Sequence, residues 1–334
     1  MKKTKEIIPG FIVCVFIAMI GKFLASFMPS LGAATFAIFL GIIAGNTILN
    51  NKRYDEGSKF SERELLSYSI VLMGATLQLS DIKSVGLGGV VFIVLQMIFT
   101  ISSAFIIGRK LGFNRKFSLL MSAGNAVCGS SAIASVSQVV HPNAKDKGLS
   151  VTIVNVTGTI LMFVLPIVAG IMYNHETIQT SALLGGTLQS VGQVIASAQF
   201  VNESVVEMAT IFKILRIILI VAVVILFSRV NTSEEGKLFE KKYNNGKKVK
   251  VTVPWFIIGF FILSVIYSLG LIPKQVSSVA HYVSGQFEII ALAAIGMRVK
   301  FKDLIKEGPK GMLYGGLVGL MQIIFALVLI KIFI

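Results

Sequence analysis

The fold class this sequence predicts is an all-α membrane protein, a polytopic helical bundle of about ten to eleven transmembrane helices. Three observations predict it. Of 334 residues, 54% are apolar and only 14% charged, with a mean hydropathy of +0.82, whereas charges make up about a quarter of a soluble domain. Apolar stretches approaching the about 20 residues that span a bilayer recur at 7–28, 33–49, 65–80, 85–108, 117–140, 149–172, 182–200, 206–228, 253–271, 284–299 and 311–334. Between them, basic residues are dense in alternate loops, as the positive-inside rule requires.

The first stretch follows a basic head, MKKTKE, and runs to Met28 without a small-residue cleavage site. It reads as a retained helix rather than a signal peptide. With the N-terminus inside, the segments 1–6, 50–64, 109–116, 173–181, 229–252 and 298–310 hold 23 of the 31 Lys and Arg residues. The outer loops hold Lys83, Lys145, Lys147 and Lys274, and Lys22, Lys213, Arg216 and Lys331 fall within spans. The expected orientation is therefore N-terminus cytoplasmic and C-terminus outside. Cytoplasmic loops facing anionic headgroups account for most of the net charge of +15 without nucleic acid. The Lys-rich segment 229–252 reads as a cytoplasmic linker between helix blocks, and 1–334 as a single transporter domain. Cys14 and Cys128 lie far apart in apolar stretches and suggest no disulfide. His141, His175 and His281 show no paired ligand pattern, and neither a metal nor a cofactor is expected.

The stretch 117–140, FSLLMSAGNAVCGSSAIASVSQVV, is apolar at its ends and polar in its middle. A helix weakened there by Gly124 and Gly129 must turn its freed backbone groups toward protein or a wet cavity, and such interruptions point to substrate sites in secondary transporters. Close packing through small residues is the competing reading, but it leaves Asn125 unexplained. The candidates here are Asn125, Cys128, Gly129, Ser130 and Ser131. The run GGTLQSVGQV at 185–194 repeats the theme with Thr187, Gln189, Ser190 and Gln193. Gln189 and Gln193, four apart, would share a helix face.

Lys213 and Arg216 sit seven and ten residues into the stretch that opens at Val206, about 10–15 Å deep. Cations at that depth face the bundle interior. They would either pair with Glu207 or Glu288, or hold an anionic substrate, for which the fork of Arg216 suits an oxyanion. A faint repeat links GATLQLSDIKSVG at 74–86 with GMRVKFKDLIKEG at 296–308, where Asp81 and Asp303 share a spacing and a helix bearing Gln96 or Gln322 follows. By the charge count the two copies are inverted.

GNAVCGSSAIASVSQVV at 124–140, MGATLQL at 73–79, GGTLQSVGQVIASAQ at 185–199, ATIFKILR at 209–216, VPWFIIGF at 253–260 and ALAAIGM at 291–297 together resemble the YeiH-like family of bacterial inner-membrane proteins, which carries a sulfate-exporter label. The resemblance covers nearly the whole chain. It implies a distant relation to bile-acid symporters and cation/proton antiporters, with two broken helices crossing at mid-membrane. Many members of the YeiH-like family carry a histidine–acid pair where this chain has Gln189 and Ser190, a departure that puts the family's coupling in doubt here. The function expected is export or exchange of a small oxyanion such as sulfate or an organic sulfonate. A sodium- or proton-coupled symporter of an organic anion is the alternative, and an intramembrane enzyme a remote one, because no base is placed to activate Ser130, Ser131 or Cys128. The partners expected are a small anionic substrate, the lipid bilayer, a sodium or proton coupling ion and a second copy of the chain in a homodimer.

Overall fold

The computed structural model describes residues 2–27, 32–76, 85–234, 238, 255–299 and 308–334. Among them every regular element is helical. In chain order these are α1 (Lys2–Phe27), α2 (Gly32–Asn46), α3 (Asp55–Phe60), α4 (Leu66–Gly74), α5 (Gly86–Lys110), α6 (Arg115–Ala126), α7 (Ser130–Val140), α8 (Ala144–Tyr173), α9 (Thr177–Thr187), α10 (Val191–Gln199), α11 (Glu203–Ile218), α12 (Ile220–Ser228), α13 (Trp255–Ser268), α14 (Lys274–Arg298) and α15 (Gly308–Phe333). Six continuous stretches among the described residues are long and apolar enough to cross a bilayer: Glu6–Phe27, Gly86–Lys110, Lys145–Tyr173, Glu203–Ser228, Lys274–Arg298 and Pro309–Phe333. Expected spans at 33–49, 65–80 and 253–271 appear as the shorter α2, α4 and α13. Asp81, Asp303, most of both repeat copies and most of the 229–252 linker lie outside the described residues.

The chain forms two compact units. The first gathers residues 1–84, 198–203 and 253–302. Its helices touch through glycines, because apolar side chains have no solvent-driven reason to associate in lipid and close backbone approach supplies the attraction instead. Gly41 of α2 and Gly296 of α14 lie so close that a Cβ built on Gly296 would meet the Ile38 carbonyl. Gly74 of α4 likewise rests on the backbone of Phe260 in α13. Cys14, Ile17, Ala37, Ala293, Ala294 and Met297 make the tight core between α1, α2 and α14.

The second unit holds residues 85–197, 204–252 and 303–334. Its frame includes an antiparallel pair, α5 and α15. Tyr314 Oη donates to Ala104 O at 2.6 Å near one end, Gly88 lies against Phe333 at the other, and Gln96 Nε2 donates to Gln322 O at 2.8 Å between them.

Two segments within this frame depart from the expected spans. The stretch 117–140 breaks where expected, but α6 and α7 do not continue one another. Lys116 Nζ donates to His141 O at 2.8 Å, and Asn114 Nδ2 to Asp146 Oδ2 at 2.8 Å. A straight helix would hold Lys116 and His141 about 37 Å apart. Gly124 instead packs on Ile133 across the turn. The segment is a hairpin that returns to its own starting end. Gly129 makes the reversal with φ at +67° and ψ at −124°, a mirror-β conformation open to glycine because it has no Cβ. Asn114 and Asn143 cap α6 and α8, accepting from Phe117 N and Asp146 N at 2.7 Å each.

The 182–200 stretch does the same from the opposite end of the unit, which the chain reaches through α8. Ser181 Oγ donates to Val205 O at 3.4 Å, and Gly185 lies on the Ala209 carbonyl, so α9 and the start of α11 run side by side in one direction. Since α11 begins directly after α10, the segment 177–199 comes back to the end from which it left. Ser190 and Gln193 start its second arm with a reciprocal capping box: Gln193 N donates to Ser190 Oγ and Ser190 N to Gln193 Oε1, both at 3.1 Å. The two broken helices implied by the family resemblance are thus present, but they turn back instead of crossing.

Candidate functional site: two hairpin tips pinned by two buried cations

The tips of the two hairpins meet beside α11. A helix that stops inside a protein leaves its last carbonyls without intrahelical donors, and its dipole brings about half a negative charge to that end. Both first arms, α6 and α9, end this way. Lys213 and Arg216, 0% and 1% exposed, supply the missing donors. Lys213 Nζ donates to Val127 O and Leu188 O, both at 2.6 Å. Arg216 donates from Nε to Ala126 O at 2.6 Å, from Nη1 to Leu188 O at 2.8 Å and from Nη2 to Asn125 O. Their three-residue separation puts both on one face of α11, and Leu188 O receives both, so one helix pins both tips. The cations expected to hold a carboxylate or a substrate are held by main-chain carbonyls. Glu288 lies in the first unit, where it accepts from Gln199 Nε2 at 2.6 Å.

Side-chain amides tie the tips to α15. Gln189 Nε2 donates to Asn125 Oδ1 at 3.1 Å and to Gln322 Oε1 at 3.2 Å, while Gln322 Nε2 donates to Asn125 O at 3.0 Å and Thr187 O at 3.3 Å. Asn125 Nδ2 donates to Met121 O at 2.9 Å. Among the described residues, nothing donates to or accepts from Gln189 Oε1 or Thr187 Oγ1, which are buried there. Gln189 sits in the break rather than on α10, so it shares no helix face with Gln193. The two converge instead on Gly158 of α8, where a Cβ would meet both amides.

The second arms have the opposite polarity. α7 and α10 begin at the tips, with positive dipole ends where α6 and α9 present negative ones. Gly129 caps α7 with no side-chain hydrogen bond. Cys128, Ser130 and Ser190 are half-buried and Ser131 is exposed. From Ser131 a polar strip continues along α7 through Ser135 and Gln138, and α8 adds Thr152, Asn155 and Thr159. Gln193 Nε2 ties α10 to α8 by donating to Asn155 O at 3.3 Å. The second unit leaves Ser131, Gln138 and Asn155 uncovered. Polar surface at bilayer depth faces water or protein, not lipid.

All eleven candidates come together in this unit, in three roles. Lys213, Arg216, Asn125, Thr187 and Gln189 hold the tips. Gly129, Ser190 and Gln193 shape them, and Cys128, Ser130 and Ser131 lie toward the open face. Sequence reasoning passed over Asn155, whose signal was a Thr152, Asn155, Thr159 stripe inside an otherwise apolar span. It read Gln96 and Gln322 only as repeat markers.

Fold and site define the class: a multi-pass helical membrane protein built around two opposed hairpins. The chain belongs to the family described as conserved hypothetical protein 698, whose profile matches residues 9–315. It is 57% identical over 334 residues to a UPF0324 membrane protein of Clostridium perfringens, covering 100% of this chain and 98% of the relative. A UPF0324 membrane protein of Lactiplantibacillus plantarum is 46% identical over 329 residues, 98% of each chain. The UPF0324 inner membrane protein YeiH of Escherichia coli strain K12 is 30% identical over 285 residues, 84% of this chain and 80% of its own.

Proposed function

We propose that the protein is a secondary active transporter that exports or exchanges a small oxyanion, sulfate or an organic sulfonate, bound where α7 and α10 begin. The observation that carries this reading is the charge balance at the tips. Two C-terminal helix ends bring about −0.5 each and two N-terminal ends about +0.5 each. These cancel, so Lys213 and Arg216, when charged, leave a surplus of about two positive charges beside an open strip of serine hydroxyls and N–H groups. An anion at that place meets two helix N-termini, of which that of α7 has no side-chain cap, without displacing either cation from its carbonyls. Hairpins entering from opposite ends also give the site an approach from either side of the membrane.

Within this proposal the N-terminus is cytoplasmic and the C-terminus outside. The hairpin geometry supports that orientation. It brings Lys145 and Lys147 to the end that carries Arg109, Lys110, Arg115 and Lys116, which raises the inside share to 25 of the 31 basic residues and leaves Lys83 and Lys274 outside. The antiparallel course of α5 and α15 supports an inverted repeat in the same way.

A thermal-shift series on purified protein tests the substrate class, because a ligand that binds only the folded form stabilises it by mass action. Sulfate or a small sulfonate is expected to raise the unfolding temperature saturably, and the Ser130→Ala, Ser131→Ala double variant to lose that rise while unfolding near the wild-type temperature without anion. A rise seen only with carboxylates plus sodium would favour the organic-anion symporter. No response to any of these anions would overturn the oxyanion reading.

A further inference from the structure

The first unit contains a buried acid that the hairpin site does not use. Glu288 lies fourteen residues into α14, about 21 Å along its axis, and is 5% exposed. Among the described residues no cation pairs with it; its hydrogen bond comes from Gln199 Nε2 at 2.6 Å. It ends a stripe on one face of α14 formed by Ser277, His281, Ser284 and Glu288, spaced four, three and four residues apart. Ser284 Oγ lies 2.9 Å from Ser69 Oγ and donates to Ser69 O at 2.9 Å. His281 stands at the more exposed end with its Nε2 3.1 Å from Glu203 Oε1.

We infer that Glu288 is a proton-binding site at bilayer depth, reached along the polar stripe of α14 from the exposed His281–Glu203 pair. An ionisable residue inside a membrane protein is costly and marks a functional site by default, and a carboxylate with one neutral donor and no cation is inexpensive to protonate. Uptake forms an O–H bond on a Glu288 carboxylate oxygen and breaks one O–H bond of a hydronium ion, which is left as water. Release returns that proton to the same path or to water on the other side. A donor is held more tightly by a carboxylate than by a carboxylic acid, so the Gln199 bond weakens when the proton arrives.

The titratable neighbours leave this role to Glu288. Of the elements packed on α14, α2 brings none. α1 brings Glu6, Cys14 and Lys22, and α4 brings Tyr68. α3 and the turn after it bring Asp55, Glu56, Lys59, Glu62, Arg63 and Glu64 at the far end, where Glu62 pairs with Arg298. Glu203 is the charged neighbour that acts on Glu288.

This inference rests on the transporter reading for its role, and the test separates the two. Protein in sealed liposomes with an internal pH dye is given an inward sulfate gradient. Wild type is expected to move sulfate with protons, and Glu288→Gln to move sulfate with loss of proton flux and of pH dependence. Sulfate-linked proton flux that survives in Glu288→Gln overturns the inference and leaves the transporter standing. If Glu288→Gln does not fold, Gln199→Leu, which removes the donor and keeps the acid, is expected to shift the pH midpoint of flux; an unchanged midpoint counts against the inference. If wild type moves no sulfate, the transporter reading fails, and infrared titration over about pH 5–9 decides the proton site alone. A protonated-carboxyl band that titrates in wild type and is missing in Glu288→Gln supports it, and no such band overturns it.

Discussion

Lys213 and Arg216 show how a buried cation can be structural without a carboxylate. Hydrogen bonds to charged groups are worth about 1.5–3 kcal/mol each, and Lys213 makes two, so Lys213→Met is expected to lower stability by about 3–6 kcal/mol. Arg216→Lys keeps the charge but not the three-pronged reach, and should fall between wild type and Arg216→Met. Thermal unfolding in detergent measures both. Neutralising Glu207 or Glu288 alongside is not expected to rescue either variant, whereas rescue would return these cations to an ion-pair role. The cysteines give a second residue-scale expectation. Cys128 is half-buried beside exposed Ser131, and Cys14 is buried with its sulfur 3.8 Å from that of Met297. A small polar thiol reagent should therefore modify Cys128 and spare Cys14, and sulfate should slow the reaction. Equal inertness of both thiols would mean that the tip is closed to water.

Among the elements, the hairpins explain which parts of the fold were legible and which were not. The polar, Gly-rich middles of 117–140 and 182–200 announced two breaks, and the breaks fall at 127–129 and 188–190. That each arm turns back was hidden, because 24 residues with a polar centre are as long as a span. The arm lengths carried the missing signal: α6, α7, α9 and α10 hold 12, 11, 11 and 9 residues, and apolar runs of about 10–14 fit re-entrant segments better than spans. Lys145 and Lys147 carried another, as two lysines on the outer side of a chain otherwise sparse in outer basic residues. The role of Lys213 and Arg216 was not legible at all, since carbonyl partners from two distant turns leave no mark in side-chain pattern.

At the end of the second unit where the first hairpin opens, Glu234 binds the α5–α6 turn. Arg109 Nη1 lies 2.8 Å from its Oε2, and Arg115 N donates to Oε1 at 2.6 Å. Partial burial works against its charge, but these donors and the two arginines hold Glu234 below the usual carboxylate range. A depressed acid contributes stability above its unfolded pKa and loses it as pH falls through the folded value. Glu234→Gln should therefore cost a little stability at neutral pH, about 0–1 kcal/mol for so exposed a pair, and nothing in acid below both values. A pH series of unfolding temperatures for the two proteins reads this out, and parallel curves would contradict it.

For the whole molecule, composition and charge were sufficient to predict a multi-pass helical membrane protein. The path of the chain needed the contacts, and it is on this path that the functional proposal stands, because opposed hairpins put two positive helix ends at one place. Sided labelling tests it most directly. Single cysteines replacing Lys116, Lys147, Glu176 and Asn202, in a Cys14→Ala, Cys128→Ala background, are probed in oriented membranes with a reagent that does not cross the bilayer. With two hairpins, positions 116 and 147 react from one side and positions 176 and 202 from the other. Positions 116 and 147 reacting from opposite sides would make 117–140 a true span and contradict the account.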